Sequence, residues 1–120
     1  MADRILTLIP DMFFAAKVEE TAKHLGISLV KLLSEESLIT EARREGPSII
    51  IIDLNFDAAR SPEVIKTVKE ACSPNPVRVL AFYSHIQEDL AESARRAGAF
   101  AVVPRSYFSK HLPEILQGNF

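Results

Sequence analysis

Residues 46–54 read Gly46-Pro47-Ser48-Ile49-Ile50-Ile51-Ile52-Asp53-Leu54. Four consecutive isoleucines leave no polar face, so the element they form must be covered on both sides. So short a run does not by itself separate a strand from a buried helical segment. Its β-branching and the Gly46-Pro47 break before it favour a strand. A strand buried on both faces belongs to a parallel sheet with helices packed above and below. Asp53, directly after the run, then emerges at the sheet edge, held by a rigid strand.

Further strands are expected at residues 4–9, 28–33, 77–83 and 100–103, with the isoleucine strand spanning 48–54. Amphipathic helices fill the gaps. Asp11 can cap the first, which carries Phe14, Val18, Ala22 and Leu25 at helical spacing and stops at Gly26. Ser34 or Ser37 starts the second. Ser61-Pro62-Glu63 starts the third with a cap, a proline and an acid near the positive helix end. The fourth covers about 87–97. Pro113 interrupts the last segment, which is either two short turns or one helix beginning near Ser109. The order is five βα units in one domain, residues 1–120. Right-handed crossovers make this an α/β, doubly wound parallel sheet with helices on both faces and its ligand edge at the strand C-termini.

Composition narrows the function. A formal net charge of −2 argues against a general nucleic-acid or membrane-surface binder, which would carry a basic excess. Arg43-Arg44 and Arg95-Arg96 sit among glutamates as solvated helix faces. Cys72, the one cysteine, lies on an apolar stripe with Val64, Ile65 and Val68 and is expected in the core. The apolar run from Ile5 to Ile9 is stopped by Pro10-Asp11, too short for a signal peptide or a membrane span. A cytoplasmic protein is expected.

The sheet edge draws attention to Pro10-Asp11, Asp53-Leu54-Asn55, Ser84-His85 and Arg105-Ser106. Asp53 is the strongest candidate, although an aspartate there also suits a loop cap. Ser84-His85 with Asp53 suggests a hydrolytic triad, but chain neighbours rarely form the Ser–His bond and no Gly-x-Ser-x-Gly elbow is present. His24 and His111 fall on helices without metal-ligand spacing, and no glycine-rich phosphate loop occurs.

Over all five units the chain resembles the receiver domain of response regulators, the phosphoacceptor module of two-component signalling. Ile-Ile-Asp53-Leu matches the family's phosphoacceptor strand, Arg4 to Leu8 its first strand, and Ala97-Gly98-Ala99 its turn before the fifth strand. The resemblance implies the flavodoxin-like strand order 2-1-3-4-5. It also implies phosphorylation of Asp53 by a histidine kinase, with no enzymatic activity beyond autophosphorylation or dephosphorylation there. Arg105 stands at the position of the family's lysine. Tyr83, or Ser84 one residue on, stands at its switch hydroxyl, and Val102 at its switch aromatic. The two acids that hold Mg²⁺ in the family fall at Ile9 and Pro10, which cannot bind metal. Asp11 with Asp53 would form at best a weak Mg²⁺ site, so the expected cofactor is none or weakly bound Mg²⁺.

Arg105 has two readings. It can bind a phosphoryl group bidentately, or form a permanent ion pair with Asp53; the ion pair is the expectation taken forward. These departures point to an atypical pseudo-receiver, stand-alone because no output domain follows in these 120 residues. It would act through a protein partner, a histidine kinase or a downstream signalling protein. A homodimer through the fourth- and fifth-helix face is a further expectation, with Tyr107, Phe108, His111 and Leu112 placed on that face. The alternatives are a working receiver phosphorylated on Asp53, and a small-molecule binder or enzyme using Asp53, Ser84 and Arg105. No nucleic-acid or membrane partner is expected.

Overall fold

The computed structural model describes residues 4–44, 46–84 and 88–120. Five strands, β1 (Arg4–Leu8), β2 (Ser28–Leu32), β3 (Ile49–Asp53), β4 (Arg78–Tyr83) and β5 (Ala101–Pro104), form one sheet. Their order is β2-β1-β3-β4-β5 and every pairing is parallel, as expected. Six helices flank it: α1 (Met12–His24), α2 (Glu35–Arg44), α3 (Ser61–Cys72), α4 (Glu88–Arg96), α5 (Arg105–Lys110) and α6 (Leu112–Leu116).

The isoleucine run divides the core in two. Alternation along β3 sends Ile49 and Ile51 to one face, with Ile5, Leu80 and Phe82, under α1, α5 and α6. It sends Ile50 and Ile52 to the other, with Leu6, Leu8, Val79 and Ala81, under α2, α3 and α4. All four isoleucines are buried, and burial of each side chain contributes about 1.5–3 kcal/mol. On the first face, Phe82 and Phe108 stack with ring centroids 4.7 Å apart, and Phe14 meets both edge-on at 5.6 and 5.8 Å.

Several local expectations change. Ile9 and Leu33 fall outside their strands, and Leu54 opens a 3-10 turn (Leu54–Phe56). Ser34 does cap α2: its Oγ accepts from the Ser37 amide at 3.1 Å. Ser61 does not cap α3. It is the first helical residue, with Arg60 in the cap position. Its buried hydroxyl is shared between the carbonyls of Leu54 (2.6 Å) and Asp57 (2.8 Å), tying the 3-10 turn to α3. The final segment is two short helices, with Pro113 in the first turn of α6. Gln87, the expected start of the fourth helix, lies outside the described residues. Phe108 and Leu112, expected on an interaction face, are core residues, whereas Tyr107 is exposed. No helix among the described residues is long and apolar enough to cross a membrane.

The Phe14–Phe82–Phe108 cluster carries a measurable share of stability. Phe108→Ala is expected to lower unfolding free energy by about 3–5 kcal/mol in urea titrations, and exposed Tyr107→Ala by far less.

Candidate functional site

Parallel strands all end on one edge, so β1, β3, β4 and β5 deliver their following residues to a common place. β3 delivers Asp53, only 7% exposed. Its Oδ1 accepts the Asn55 amide at 2.9 Å in the 3-10 turn. Its other oxygen has no hydrogen-bond partner among the described residues. No buried side-chain oxygen there lacks a partner, so this oxygen meets solvent. Burial pushes the Asp53 carboxyl above its ordinary value; the Asn55 amide and the Arg105 charge pull the other way, and the Asp11 charge adds to the rise.

Asp11, from the β1–α1 junction, performs two tasks. Its Oδ1 accepts the amides of Phe13 and Phe14, each at 3.1 Å, and so caps α1. Its Oδ2 receives Arg105 Nη2 at 3.0 Å. The Phe14 amide, the Arg105 guanidinium and the Phe13 amide all hold its carboxyl below the ordinary range.

Arg105 opens α5 directly after β5, and its guanidinium carbon lies 4.0 Å from the centroid of the Phe14 ring. The expected Asp53–Arg105 pair is therefore corrected: the partner is Asp11. The cause is the ring. Phe14 draws the guanidinium over α1 through cation–π attraction, and Asp11 sits one turn back on that helix, at its N-terminus. Arg105 acts on Asp53 only through its field.

The switch-hydroxyl candidates separate. Tyr83 ends β4 half-buried against the α3 side of the core. Ser84 is exposed beyond the strand. Neither hydroxyl bonds Asp53 among the described residues. Instead Asn55 Oδ1 accepts the Ser84 amide at 2.7 Å. This role was not visible in the sequence, where Asn55 was only a neighbour of Asp53; the signal that could have found it is an amide side chain facing the end of the adjacent strand. Val102 is half-buried in the core. His85 lies outside the described residues. His24 pairs loosely with Glu20 at 3.7 Å on the surface, His111 packs on Tyr107, and Cys72 is buried with its thiol pushed up by burial.

The described residues offer a poor donor set for Mg²⁺, which takes an octahedral shell of oxygens. Asp53 offers one uncommitted oxygen. Both oxygens of Asp11 are engaged, Ile9 is packed in the core, and the Pro10 side chain has no donor atom. Among the described residues no group of three or more His, Cys, Asp or Glu side chains is placed to hold a metal ion.

No family model matches the sequence, and no curated protein does. Solved structures do. A response regulator from Thermotoga maritima superposes with TM-score 0.83 at 17% identity, covering 99% of this chain and 98% of that one. The receiver domain of a response regulator from Bermanella marisrubri gives TM-score 0.83 at 18% identity, with 98% of each chain covered. A response regulator from Hahella chejuensis gives 0.81 at 18%, covering 97% of this chain and 93% of that chain. The chain has the receiver-domain fold.

Two outcomes follow from the geometry. An acid whose carboxyl is raised in the folded state lowers stability as pH climbs through its titration. Asp53→Asn should therefore raise Tm at pH 7, with the gain shrinking as pH falls toward the unfolded carboxylate value of about 3.8; a Tm difference that does not vary with pH would contradict it. Asn55→Ala frees the Ser84 amide, whose hydrogen exchange should accelerate at least tenfold by NMR.

Proposed function

We propose that the domain is a degenerate receiver that works in a two-component-type pathway in the cytoplasm by binding another protein, without enzymatic activity and without Mg²⁺. The observation that carries this reading is the Asp11–Arg105 pair. It engages an acid close to Asp53 and holds the nearby Arg105 guanidinium over Phe14. Phosphoryl transfer concentrates negative charge on the transferred oxygens and needs a preorganised cation to neutralise it. Arg105 would have to leave both Asp11 and Phe14 to serve, so Asp53 stays unmodified and the domain stays in one state.

The partner is a histidine kinase or a downstream signalling protein, met on the surface of α4, β5 and α5. Tyr107, exposed and packed on His111 with centroids 4.3 Å apart, is the aromatic that surface offers near the site. A homodimer through the same surface is a version of this reading.

One observation favours a second reading, a working receiver. The uncommitted oxygen of Asp53 meets solvent at a rigid strand end, as a phosphoacceptor must. The two readings part on a single experiment. With acetyl phosphate and Mg²⁺, the intact mass should remain unchanged and the amide spectrum should not respond to Mg²⁺ alone. A phosphoryl adduct that disappears in Asp53→Asn would overturn the degenerate reading in favour of the second.

A further inference from the structure

Four exposed side chains of α1 fall in one line: Phe13, Lys17, Glu20 and His24. Steps of four, three and four residues keep them on one stripe of the helix. The opposite face sends Phe14, Ala15, Val18 and Ala22 into the core. Phe13 is the most exposed large apolar side chain among the described residues, at 91%. Its backbone is fixed all the same, because its amide donates to Asp11 Oδ1 in the helix cap. One exposed ring needs no explanation by itself. The order of the stripe it opens is what points to a partner.

The stripe is symmetric about its middle, between residues 18 and 19. A two-fold axis there lays an antiparallel copy of the helix alongside, with Phe13 against His24 and Lys17 against Glu20. Each contact then occurs twice, and each is complementary: ring on ring, and ammonium on carboxylate. An isologous contact requires this match of a patch to itself after a half-turn. Reversing either charge would set like charges face to face at two places. The same four-three-four spacing forms the seam along which paired helices pack. Glu20 meets His24 within the chain only loosely, at 3.7 Å with both side chains mostly exposed, which leaves its carboxylate open to a second cation. His24 also lines a cleft of about 740 Å³ together with Ala16, Ile27 and Leu29. An aromatic ring arriving at His24 therefore finds apolar surface beside the imidazole.

From this pattern we infer that α1 is a self-association surface, and that two copies of the chain pair through antiparallel α1 helices. A second copy is the occupant because the stripe is complementary to itself. The contact lies outside the α4, β5 and α5 surface and uses none of its residues. One helix from each copy makes a small interface, so the dimer is weak and forms at high protein concentration.

Sedimentation equilibrium of the chain between about 10 μM and 1 mM tests this, with a reversible dimer of Kd on the order of 100 μM expected. Phe13→Ala should weaken it about tenfold with Tm unchanged, whereas Tyr107→Ala, on the α5 surface, should leave it intact. Lys17→Glu and Glu20→Lys should each be monomeric across the range. The double exchange Lys17→Glu with Glu20→Lys should dimerise again, and so should an equal mixture of the two single variants. A parent chain that stays monomeric throughout would overturn the inference and leave the stripe to a different protein. A dimer lost in Tyr107→Ala but kept in Phe13→Ala would move the interface to α5. Failure of the charge exchange to restore association would remove the two-fold pairing.

Discussion

Everything in this fold depends on covering β3 on both faces. Ile49 and Ile51 require an apolar layer on one side, and Ile50 and Ile52 require one on the other. A helix on a single face would leave two isoleucines in water, at a cost exceeding a typical fraction of domain stability. Three helices on each side satisfy the strand, and the crossovers that place them there make the neighbours parallel. From that follows the polarity of the molecule: one edge collects all strand C-termini and the other collects all strand N-termini.

That polarity, with the absence of side-chain freedom in β3, fixes Asp53. The strand pairs with β1 and β4 on its two sides, so the carboxylate cannot withdraw from its half-desolvated position. The local answer is modest: one backbone amide from Asn55 and the field of a guanidinium that is bonded elsewhere. Arginine rather than lysine at position 105 matters here. A lysine ammonium is compact and strongly hydrated, whereas a guanidinium is planar and weakly hydrated, and so settles on an aromatic face. Phe14 supplies that face, and Asp11 fixes the orientation of the fork.

The scaffold was legible because each of its signals is local and repeated. Isoleucine runs, Gly and Pro breaks and helical spacing located five strands, with ends shifted by at most one residue, while their order in the sheet came from the resemblance to receiver domains. Asp53 was legible because a carboxylate after four isoleucines has one place to go. What Arg105 touches was not legible, since residues 11, 14 and 105 are brought together only by the α1–α5 contact, and no spacing along the chain encodes it. The same limit applies to Ser61, whose Ser-Pro-Glu context has the pattern of a cap. Its burial beside the Leu54 and Asp57 carbonyls converts the hydroxyl from an acceptor for the helix amides into a donor to the preceding turn. The role of Asn55 was not legible for a related reason: its partner is the backbone amide of Ser84, just past the adjacent strand, and backbone groups leave no mark in a sequence.

The two edges differ in what their charges can still do. At the C-terminal edge a cation and two acids lie together, and the cation is neutralised by the acid that also caps a helix, so opening that pair would disturb α1 as well as the site. Coupling the cap to the ion pair makes the arrangement resistant to change, which suits a surface presented in one form to a protein partner. At the N-terminal edge the charges are engaged one by one: Arg4 faces Glu41, and Arg78 donates to the Gly118 carbonyl and lies over the Phe120 ring. The same strands that hold Asp53 rigid carry Ser48 and Arg78 at their other ends. The charges of that edge and the Asp11–Arg105 pair are separated by the length of the strands, so the Asp53 site is set by its own edge alone.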